Sequence, residues 1–111
     1  MVARPLLTRG DVFLIALDPT LGSEIRKTRP CLVVSPDVLN RYLNTAIIAP
    51  MTTGGRSDPW RIRCRFRRRT GFVAIDQLRT VDLERCVAKL GRISPTTLTA
   101  VLAGLREMFV D

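Results

Sequence analysis

A charged, hydroxyl-bearing segment stands directly in front of a continuous apolar run. Residues 22–29 read G-S-E-I-R-K-T-R, and the apolar run P-C-L-V-V follows at residues 30–34. The segment carries one carboxylate, two hydroxyls and three cations, groups that can bind a phosphate or stabilise negative charge in a transition state. Two interpretations stay open: a solvated connection that is merely polar, or a reactive loop that the strand behind it holds in place.

The residue types that are missing exclude many mechanisms. The chain has no histidine, so a Ser-His-Asp or Cys-His pair, a histidine-based metal site and a histidine-dependent ribonuclease mechanism are all excluded. The acidic residues are scattered singly, without a D-x-D or E-x-x-E grouping, which disfavours a two-metal nuclease. Gly54-Gly55 is an isolated pair rather than a phosphate-binding loop. We therefore expect neither a metal nor another cofactor.

The arginines and hydroxyls that remain are sufficient for one reaction. RNA carries its own nucleophile, the 2′-OH, beside each phosphodiester. An enzyme need only align that hydroxyl, stabilise charge at the phosphorus and assist the leaving 5′-oxygen. Arginine and threonine can supply the positioning and electrostatic contributions, which are usually large. DNA has no 2′-OH, so this inventory permits cleavage of RNA but does not by itself specify it.

The excess of cations indicates a polyanionic partner. Eighteen basic residues against ten acidic ones give a net charge of +8, and sixteen of the basic residues are arginines. A GC-rich genome would explain part of the arginine preference but not the surplus of cations. Because the guanidinium fork binds phosphate bidentately, a nucleic acid or an acidic protein tail is favoured. A membrane is disfavoured, since neither a basic amphipathic helix nor a spanning apolar segment is visible.

The cysteines and the N-terminal residues predict a cytoplasmic protein. Cys31, Cys64 and Cys86 are an odd number, lie in apolar runs and have no histidine beside them. That pattern is typical of buried, reduced thiols rather than of disulfides or a zinc site. The first ten residues lack the extended apolar stretch of a secretory signal.

The apolar pattern predicts one domain, residues 1–111, built mainly from short antiparallel strands. Short apolar runs alternate with turn residues and no long helices lie between them, which is typical of a small barrel or sandwich. Asp37 is expected to cap a short helical turn. The predicted strands cover residues 12–17, 30–35, 45–51, 60–66, 72–78 and about 86–93.

The last part of the chain predicts a helix. Ser94 suits the N-cap and Pro95 the first helical position. An apolar stripe follows at helical spacing, wide enough to cover an open end of the barrel or, as a secondary possibility, to form a dimer interface. Its members are Leu98, Val101, Leu102, Leu105, Met108 and Phe109.

An arginine-rich stretch, W-R-I-R-C-R-F, begins at Trp60 and alternates strictly. The alternation predicts a half-buried strand with Trp60 on the core side and arginines on the other face. A hairpin turn is expected at residues 68–71. The arginines between 61 and 69 are interpreted first as a solvated strand face with its turn, and only secondarily as an RNA-binding track.

Four segments in order resemble the MazF/PemK family of toxin endoribonucleases. They are R-G-D-V-F-L-I-A-L-D-P-T-L-G-S-E, R-P-C-L-V-V-S-P, N-T-A-I-I-A-P-M-T-T and G-F-V-A-I-D-Q-L-R-T-V-D, and the match runs from about residue 9 to the C-terminal helix. The resemblance implies a mainly β (α+β) fold: a small SH3-like antiparallel β-barrel, MazF/PemK/CcdB-like, with a C-terminal α-helix. It also implies a homodimer that cleaves single-stranded RNA without metal, leaving a 2′,3′-cyclic phosphate and a 5′-OH. A cognate acidic, MazE-like antitoxin is the implied protein partner.

The resemblance also assigns roles to residues of the matched segments. Arg29 of the R-P pair and Thr52 of the T-T pair match the catalytic arginine and threonine. Glu24, in the G-S-E loop that begins at Gly22, becomes a candidate base or orienting group. The loop after Thr52, residues 53–59, is where base specificity is expected. Residues expected to bind the RNA are Ser23, Arg26, Lys27, Thr53, Gln77 and Arg79.

Two other functions stay open beside the ribonuclease. A non-catalytic SH3-like barrel that binds RNA or a protein would hold RNA with strong salt dependence and leave it uncut. A gyrase-directed poison on the same fold would inhibit supercoiling and also leave RNA intact.

Overall fold

The computed structural model describes residues 5–111. Residues 1–4, which belong to the predicted domain and to the segment judged for a secretory signal, lie outside the described residues. The strands are β1 (Asp11–Ala16), β2 (Thr28–Val33), β3 (Thr45–Thr52), β4 (Arg61–Phe66), β5 (Arg69–Ala74), β6 (Arg79–Asp82) and β7 (Cys86–Arg92). The helices are α1 (Asp37–Tyr42) and α2 (Pro95–Met108), and short 3₁₀ turns cover Ile75–Gln77 and Leu83–Arg85.

One antiparallel sheet contains all seven strands. Its hydrogen-bonded order is β4-β5-β3-β2-β1-β7, and β6 pairs with β3 beside this path. The long strand β3 joins the two halves, because its first part pairs with β2 and β6 while its last two residues, Met51 and Thr52, pair with β5. The predicted class, a mainly antiparallel β fold with a C-terminal helix, is confirmed.

The strand β1 and the second half of β2, residues 31–33, are buried on both faces. Phe13 and Ile15 belong to one core cluster, whereas Val12 belongs to a second. In β2, Cys31 belongs to the first cluster and Leu32 to the second. Because side chains alternate between the faces of a strand, a strand covered on both sides needs a continuous apolar run. This explains why P-C-L-V-V contains no polar residue.

The helix α2 covers the second cluster. The Ser94 hydroxyl accepts a hydrogen bond from the Thr97 backbone N–H at 3.2 Å, and Pro95 opens the helix, as predicted. Val101 is fully buried in the second cluster, and Leu98, Leu105 and Met108 pack against it. Four of the six predicted stripe residues therefore pack on the sheet, whereas Leu102 belongs to neither cluster and Phe109 is 72% exposed.

Two predictions between residues 67 and 82 were wrong. The hairpin turn lies at Arg67 and Arg68, both at positive φ (50° and 65°), rather than at residues 68–71. A two-residue turn of this hand matches the twist of the flanking strands, so Arg69 already pairs with Phe66. The predicted strand 72–78 ends at Ala74, where the 3₁₀ turn begins, and a separate short strand, β6, follows.

Two side-chain predictions were also wrong. Trp60 lies before β4 and is 41% exposed, because Asp58 and Arg61 form a bridge that turns the chain at this point. Asp37 is the first residue of α1 and not its cap. The cap position belongs to Pro36, and the Asp37 carboxylate instead accepts a hydrogen bond from the Arg9 backbone N–H at 2.7 Å.

The strand predicted at 30–35 begins two residues earlier, so that Arg29 is inside β2.

Candidate active site

A groove of about 480 Å³ opens where β2 begins and β3 ends. Its floor is apolar and is formed by the edge of the second core cluster, namely Met51, Cys64, Phe66 and Leu90. Cations and hydroxyls from three separate segments stand around this floor. We call it the arginine groove, and its polar lining includes Lys27, Thr28, Arg29, Thr52, Thr53, Arg67, Arg69 and Thr70.

Arg29 is held by the backbone and keeps free donors. Its main chain pairs with Ile15 of β1, and its Nε donates to the carbonyl oxygen of Arg26 at 2.8 Å. The two terminal nitrogens form no hydrogen bond or ion pair with any residue from 5 to 111. Free N–H groups on a fixed guanidinium are suited to bind a phosphate.

Thr52 is the last residue of β3 and lines the same groove as Arg29. The β2–β3 ladder ends at the pair of Cys31 and Pro50, two residues before Thr52 and two residues after Arg29. The Thr52 hydroxyl donates to the Gly54 carbonyl oxygen at 3.1 Å, so it also has the turn role that its sequence context allows. A hydroxyl has only one hydrogen. The Thr52 hydroxyl must therefore break its bond to the Gly54 carbonyl oxygen before it can donate to a phosphate oxygen.

Three of the predicted residues line a second, smaller groove. We call this space of about 280 Å³ the loop groove, and its lining residues are Glu24, Ile25, Pro50, Asp76, Gln77, Leu78 and Arg79. The Glu24 carboxylate accepts a hydrogen bond from the Leu21 N–H at 2.6 Å, across its own turn. Glu24, Gln77 and Arg79 are thus brought together, but in a groove other than the one that Arg29 and Thr52 line.

Gln77 and Arg79 anchor the loop between β1 and β2. The Gln77 side-chain oxygen accepts a hydrogen bond from the Ile25 N–H at 3.1 Å, and Arg79 donates to the Leu17 carbonyl oxygen at 3.0 Å. Ser23 and Arg26 are exposed in the same loop. Apart from the carbonyl that Arg26 offers to Arg29, the part of the chain that the structure describes shows no hydrogen bond from either residue.

Asp18 and Arg85 close the base of this loop, and the sequence did not point to either. The Asp18 carboxylate accepts hydrogen bonds from the Lys27 N–H at 3.0 Å and the Thr20 hydroxyl at 2.9 Å. Arg85 donates to the carbonyl oxygens of Ala16 and Asp18 at 3.1 and 2.6 Å. In the sequence, Asp18 before Pro19 has the pattern of a turn. No motif or spacing connects Asp18 to Arg85, which lies 67 residues further along the chain.

Arg67 and Arg69 were not predicted as part of the site. The Arg67 guanidinium stacks over the Phe66 ring, 5.7 Å from its centroid, and donates to the Leu90 carbonyl oxygen. Both arginines were interpreted first as part of a solvated strand face and its turn, and only secondarily as an RNA-binding track. The signal that could have found them is the two-residue turn, because it directs the end of the hairpin toward the β2–β3 segment.

The electrostatics of the arginine groove favour an anion. No acidic residue of the described chain lines it, while four cations do. The buried Cys31 behind Arg29 adds no charge, because burial raises the pKa of its thiol to about 12. Within residues 5–111, histidine, cysteine and acidic side chains form no group of three that could hold a metal ion. The same residues include no helix of the length and hydropathy needed to cross a membrane.

The sequence matches a known family over nearly its whole length. Residues 8–109 match the family described as PemK-like, MazF-like toxin of type II toxin–antitoxin system. The endoribonuclease PemK of Escherichia coli is 36% identical over 105 residues, covering 89% of this chain and 79% of PemK. The endoribonuclease toxin MazF of E. coli K12 is 30% identical over 109 residues, covering 97% of this chain and 98% of MazF.

Solved structures share the fold. MazF from Deinococcus radiodurans superimposes with a TM-score of 0.83 at 23% identity, covering 94% of this chain and 96% of that one. A mycobacterial endoribonuclease in complex with its cognate antitoxin gives a TM-score of 0.77 at 24% identity, covering 91% and 92% of the two chains. From the family match and the relatives at 30–36% identity, this chain belongs to the PemK-like, MazF-like toxins of type II toxin–antitoxin systems.

Proposed function

We propose that this chain is a sequence-specific endoribonuclease toxin that cleaves single-stranded RNA without a metal ion. One observation carries the proposal: Arg29 and Thr52, from two separate sequence motifs, line one groove together with Lys27, Arg67 and Arg69. A groove with four cations, two adjacent threonines and no carboxylate among its described lining residues favours a phosphodiester. The relatives named as endoribonucleases support the reaction class.

The substrate supplies the nucleophile in the proposed reaction. The 2′-oxygen of the RNA forms a bond to the adjacent phosphorus while the bond from phosphorus to the 5′-oxygen breaks. The proton lost by the 2′-OH is balanced by the proton gained by the 5′-oxygen, so the products carry a 2′,3′-cyclic phosphate and a 5′-OH. The terminal nitrogens of Arg29 stabilise the charge that builds on the phosphorane, because they are fixed before the reaction begins.

The other site residues have supporting roles in this proposal. Thr52 donates to a non-bridging phosphate oxygen after its hydroxyl leaves Gly54. Lys27 and Thr53 contact the RNA backbone in the arginine groove. Glu24 orients the loop through its bond to Leu21. Ser23, Arg26, Gln77 and Arg79 bind the RNA that continues along the β1–β2 loop and the loop groove.

The proposal extends to partners and location. We infer that the active form is a homodimer and that an acidic, MazE-like antitoxin neutralises it in the cytoplasm. Structures of MazE with MazF from D. radiodurans, which match this fold with TM-scores of 0.73–0.75, support such a partner. The net charge of +8 suits an acidic chain as well as RNA.

Primer extension on a long RNA tests the proposal. Wild type and Arg29→Ala are incubated in EDTA at low salt, beside Arg41→Ala, which removes an exposed arginine on α1 that lines neither groove. We expect stops at one short sequence motif for wild type and Arg41→Ala. Arg29→Ala is expected to lose about 10²–10³-fold in rate, the cost of removing one charge-stabilising donor.

Two results would contradict it. RNA that stays intact while it binds with strong salt dependence would leave a binding module without catalysis. Inhibition of gyrase supercoiling, with intact RNA, would identify a gyrase poison.

A further inference from the structure

A second arginine surface lies on the β4–β5 hairpin, outside the groove described above. Arg63 and Arg65 are exposed on one face of β4, while Cys64 between them is buried in the second core cluster. Arg61, next on the same face, forms a bidentate pair with Asp76 at 2.7 and 2.9 Å. Across residues 5–111, by contrast, Arg63 and Arg65 take part in no ion pair.

This surface lies on the sheet face opposite the apolar groove floor and is connected to the candidate active site through Thr52. The sheet register pairs Thr52 of β3 with Phe72 of β5, and Phe72 with Arg63 of β4. The three residues therefore form one row across the sheet, on the face opposite Met51 and Val73. Neighbouring strands lie about 4.8 Å apart, so Arg63 begins about 10 Å from Thr52.

The hairpin end makes a second connection. Arg65 pairs with Thr70, and Thr70 lines the arginine groove together with Arg69. Arg63 thus lies in the same row as Thr52, and Arg65 lies beside Thr70 of the arginine groove.

The composition of this surface suits single-stranded RNA. Exposed cations two residues apart on one strand face stand about 7 Å apart and repel each other unless an anion lies over them. Phe72 between Thr52 and Arg63 is partly exposed and, in the described part of the chain, belongs to neither core cluster. Cations beside a ring on which a base can stack are what sequence-tolerant single-strand binding requires.

A second copy of the chain suits the surface less well. A two-fold contact centred on it would oppose the same patch to itself, arginine against arginine. We propose that Arg63, Phe72 and Arg65, here called the hairpin track, bind the RNA that flanks the cleaved phosphodiester. The hairpin track rests on the proposed ribonuclease function and deepens it, because it gives the enzyme a preference for long single strands over isolated cleavage sequences.

Salt-dependent binding tests the hairpin track. The probes are 2′-O-methyl RNA oligonucleotides, which lack the attacking hydroxyl: a short one that spans only the cleavage sequence and a long one that extends well beyond it. Dissociation constants are measured by fluorescence anisotropy at several salt concentrations for wild type, Arg63→Ala/Arg65→Ala and the control Arg41→Ala/Arg106→Ala. The control removes the same charge from two exposed helix positions outside both grooves.

The expected result is specific to the track and to the long probe. Loss of two phosphate contacts reduces the slope of log K against log salt by about 1.4, since each contact to a single strand contributes about 0.7. Arg63→Lys/Arg65→Lys retains most of that slope, and Phe72→Ala weakens binding of the long probe without changing the slope. Sedimentation of the double alanine variant is expected to match wild type.

Each contrary result identifies what failed. If Arg63→Ala/Arg65→Ala binds the long probe like wild type, or loses no more than the helix control, the hairpin track is refuted while cleavage by wild type still supports the ribonuclease. An equal loss on short and long probes would refute a flanking role, and a changed oligomeric mass would assign the face to a second copy. If wild type neither binds nor cuts RNA, the ribonuclease itself is refuted.

Discussion

At the scale of single residues, the neighbours of Arg29 hold its side chain without neutralising its charge. A backbone carbonyl fixes its Nε, and the nearby thiol of Cys31 carries no charge because burial raises its pKa to about 12. An acidic partner at this position would have stabilised the guanidinium and occupied the donors that a phosphate needs. The Arg61–Asp76 pair shows that contrast, since Nε and one terminal nitrogen of Arg61 both donate to the carboxylate.

The roles open to Glu24 can be separated by an isosteric change. Its carboxylate accepts the Leu21 N–H, an acceptor role that an amide oxygen can also fill. We expect Glu24→Gln to cleave RNA at nearly the wild-type rate with an unchanged pH profile, and Glu24→Ala to lose about fivefold, the worth of about 1 kcal/mol for one local hydrogen bond. Single-turnover cleavage across a pH series measures both. A loss of 10²–10⁴-fold in Glu24→Gln, with a flattened acid limb, would instead identify a general base.

At the scale of elements, the end of β3 is positioned by the close approach of β5. A β-carbon added at Gly71 would lie 2.2 Å from the carbonyl oxygen of Thr52, so no other residue fits without moving the strands apart. The β1–β2 loop is positioned from the other side by Asp18, Gln77, Arg79 and Arg85. Arg29 and Thr52 thus line one groove because two different parts of the sheet position them.

Alanine at Gly71 is therefore expected to affect both the fold and the site. We expect Gly71→Ala to lower the free energy of unfolding by about 1–3 kcal/mol, as overpacking does, and to reduce cleavage through the shift of Thr52. Gly54→Ala is the matched control, because a β-carbon there meets nothing within 4 Å. Urea unfolding and cleavage rates are measured for both variants. Equal free energies of unfolding for the two variants would show that β5 can move away from Thr52 without loss of stability.

At the scale of the whole molecule, one buried carboxylate joins β1 to β7. Asp11 is 0% exposed and accepts hydrogen bonds from Arg92 at 2.6 Å and from the Thr8 N–H at 2.9 Å, with Lys89 at 3.5 Å. Arg92 also donates to the Arg9 carbonyl oxygen at 3.0 Å. These bonds attach the segment before β1 to the terminal strand of the sheet path, beneath the start of α2.

Removal of this carboxylate tests its contribution to stability. We expect Asp11→Ala to lower the free energy of unfolding by about 2–3 kcal/mol, because the part-buried Thr8 N–H loses its acceptor and the half-exposed Arg92 and Lys89 lose their charged partner. Arg61→Ala, which breaks the pair with the partly exposed carboxylate of Asp76, is the comparison and should cost about 0–1 kcal/mol. Thermal unfolding of the two variants measures the difference. A smaller loss in Asp11→Ala than in Arg61→Ala would contradict this account.

Local sequence patterns were sufficient to predict several features of the fold. Alternating and continuous apolar runs indicated most of the strands, Ser94-Pro95 indicated the start of α2, and the absence of histidine limited the chemistry to arginine and hydroxyl groups. The strand and helix predictions succeeded because burial on one or both faces of a strand, and capping of a helix, impose their requirements within a few neighbouring residues.

Which residues share a groove depends on contacts between distant parts of the chain. The tertiary structure set Glu24 apart from Arg29, brought Arg67 and Arg69 to the rim beside Thr52, and left Trp60 exposed. Strand register, the location of the hairpin turn and the break between β5 and β6 made these choices. Each depends on pairing between residues distant in sequence, and a shift of one residue in such pairing moves every side chain to the other face.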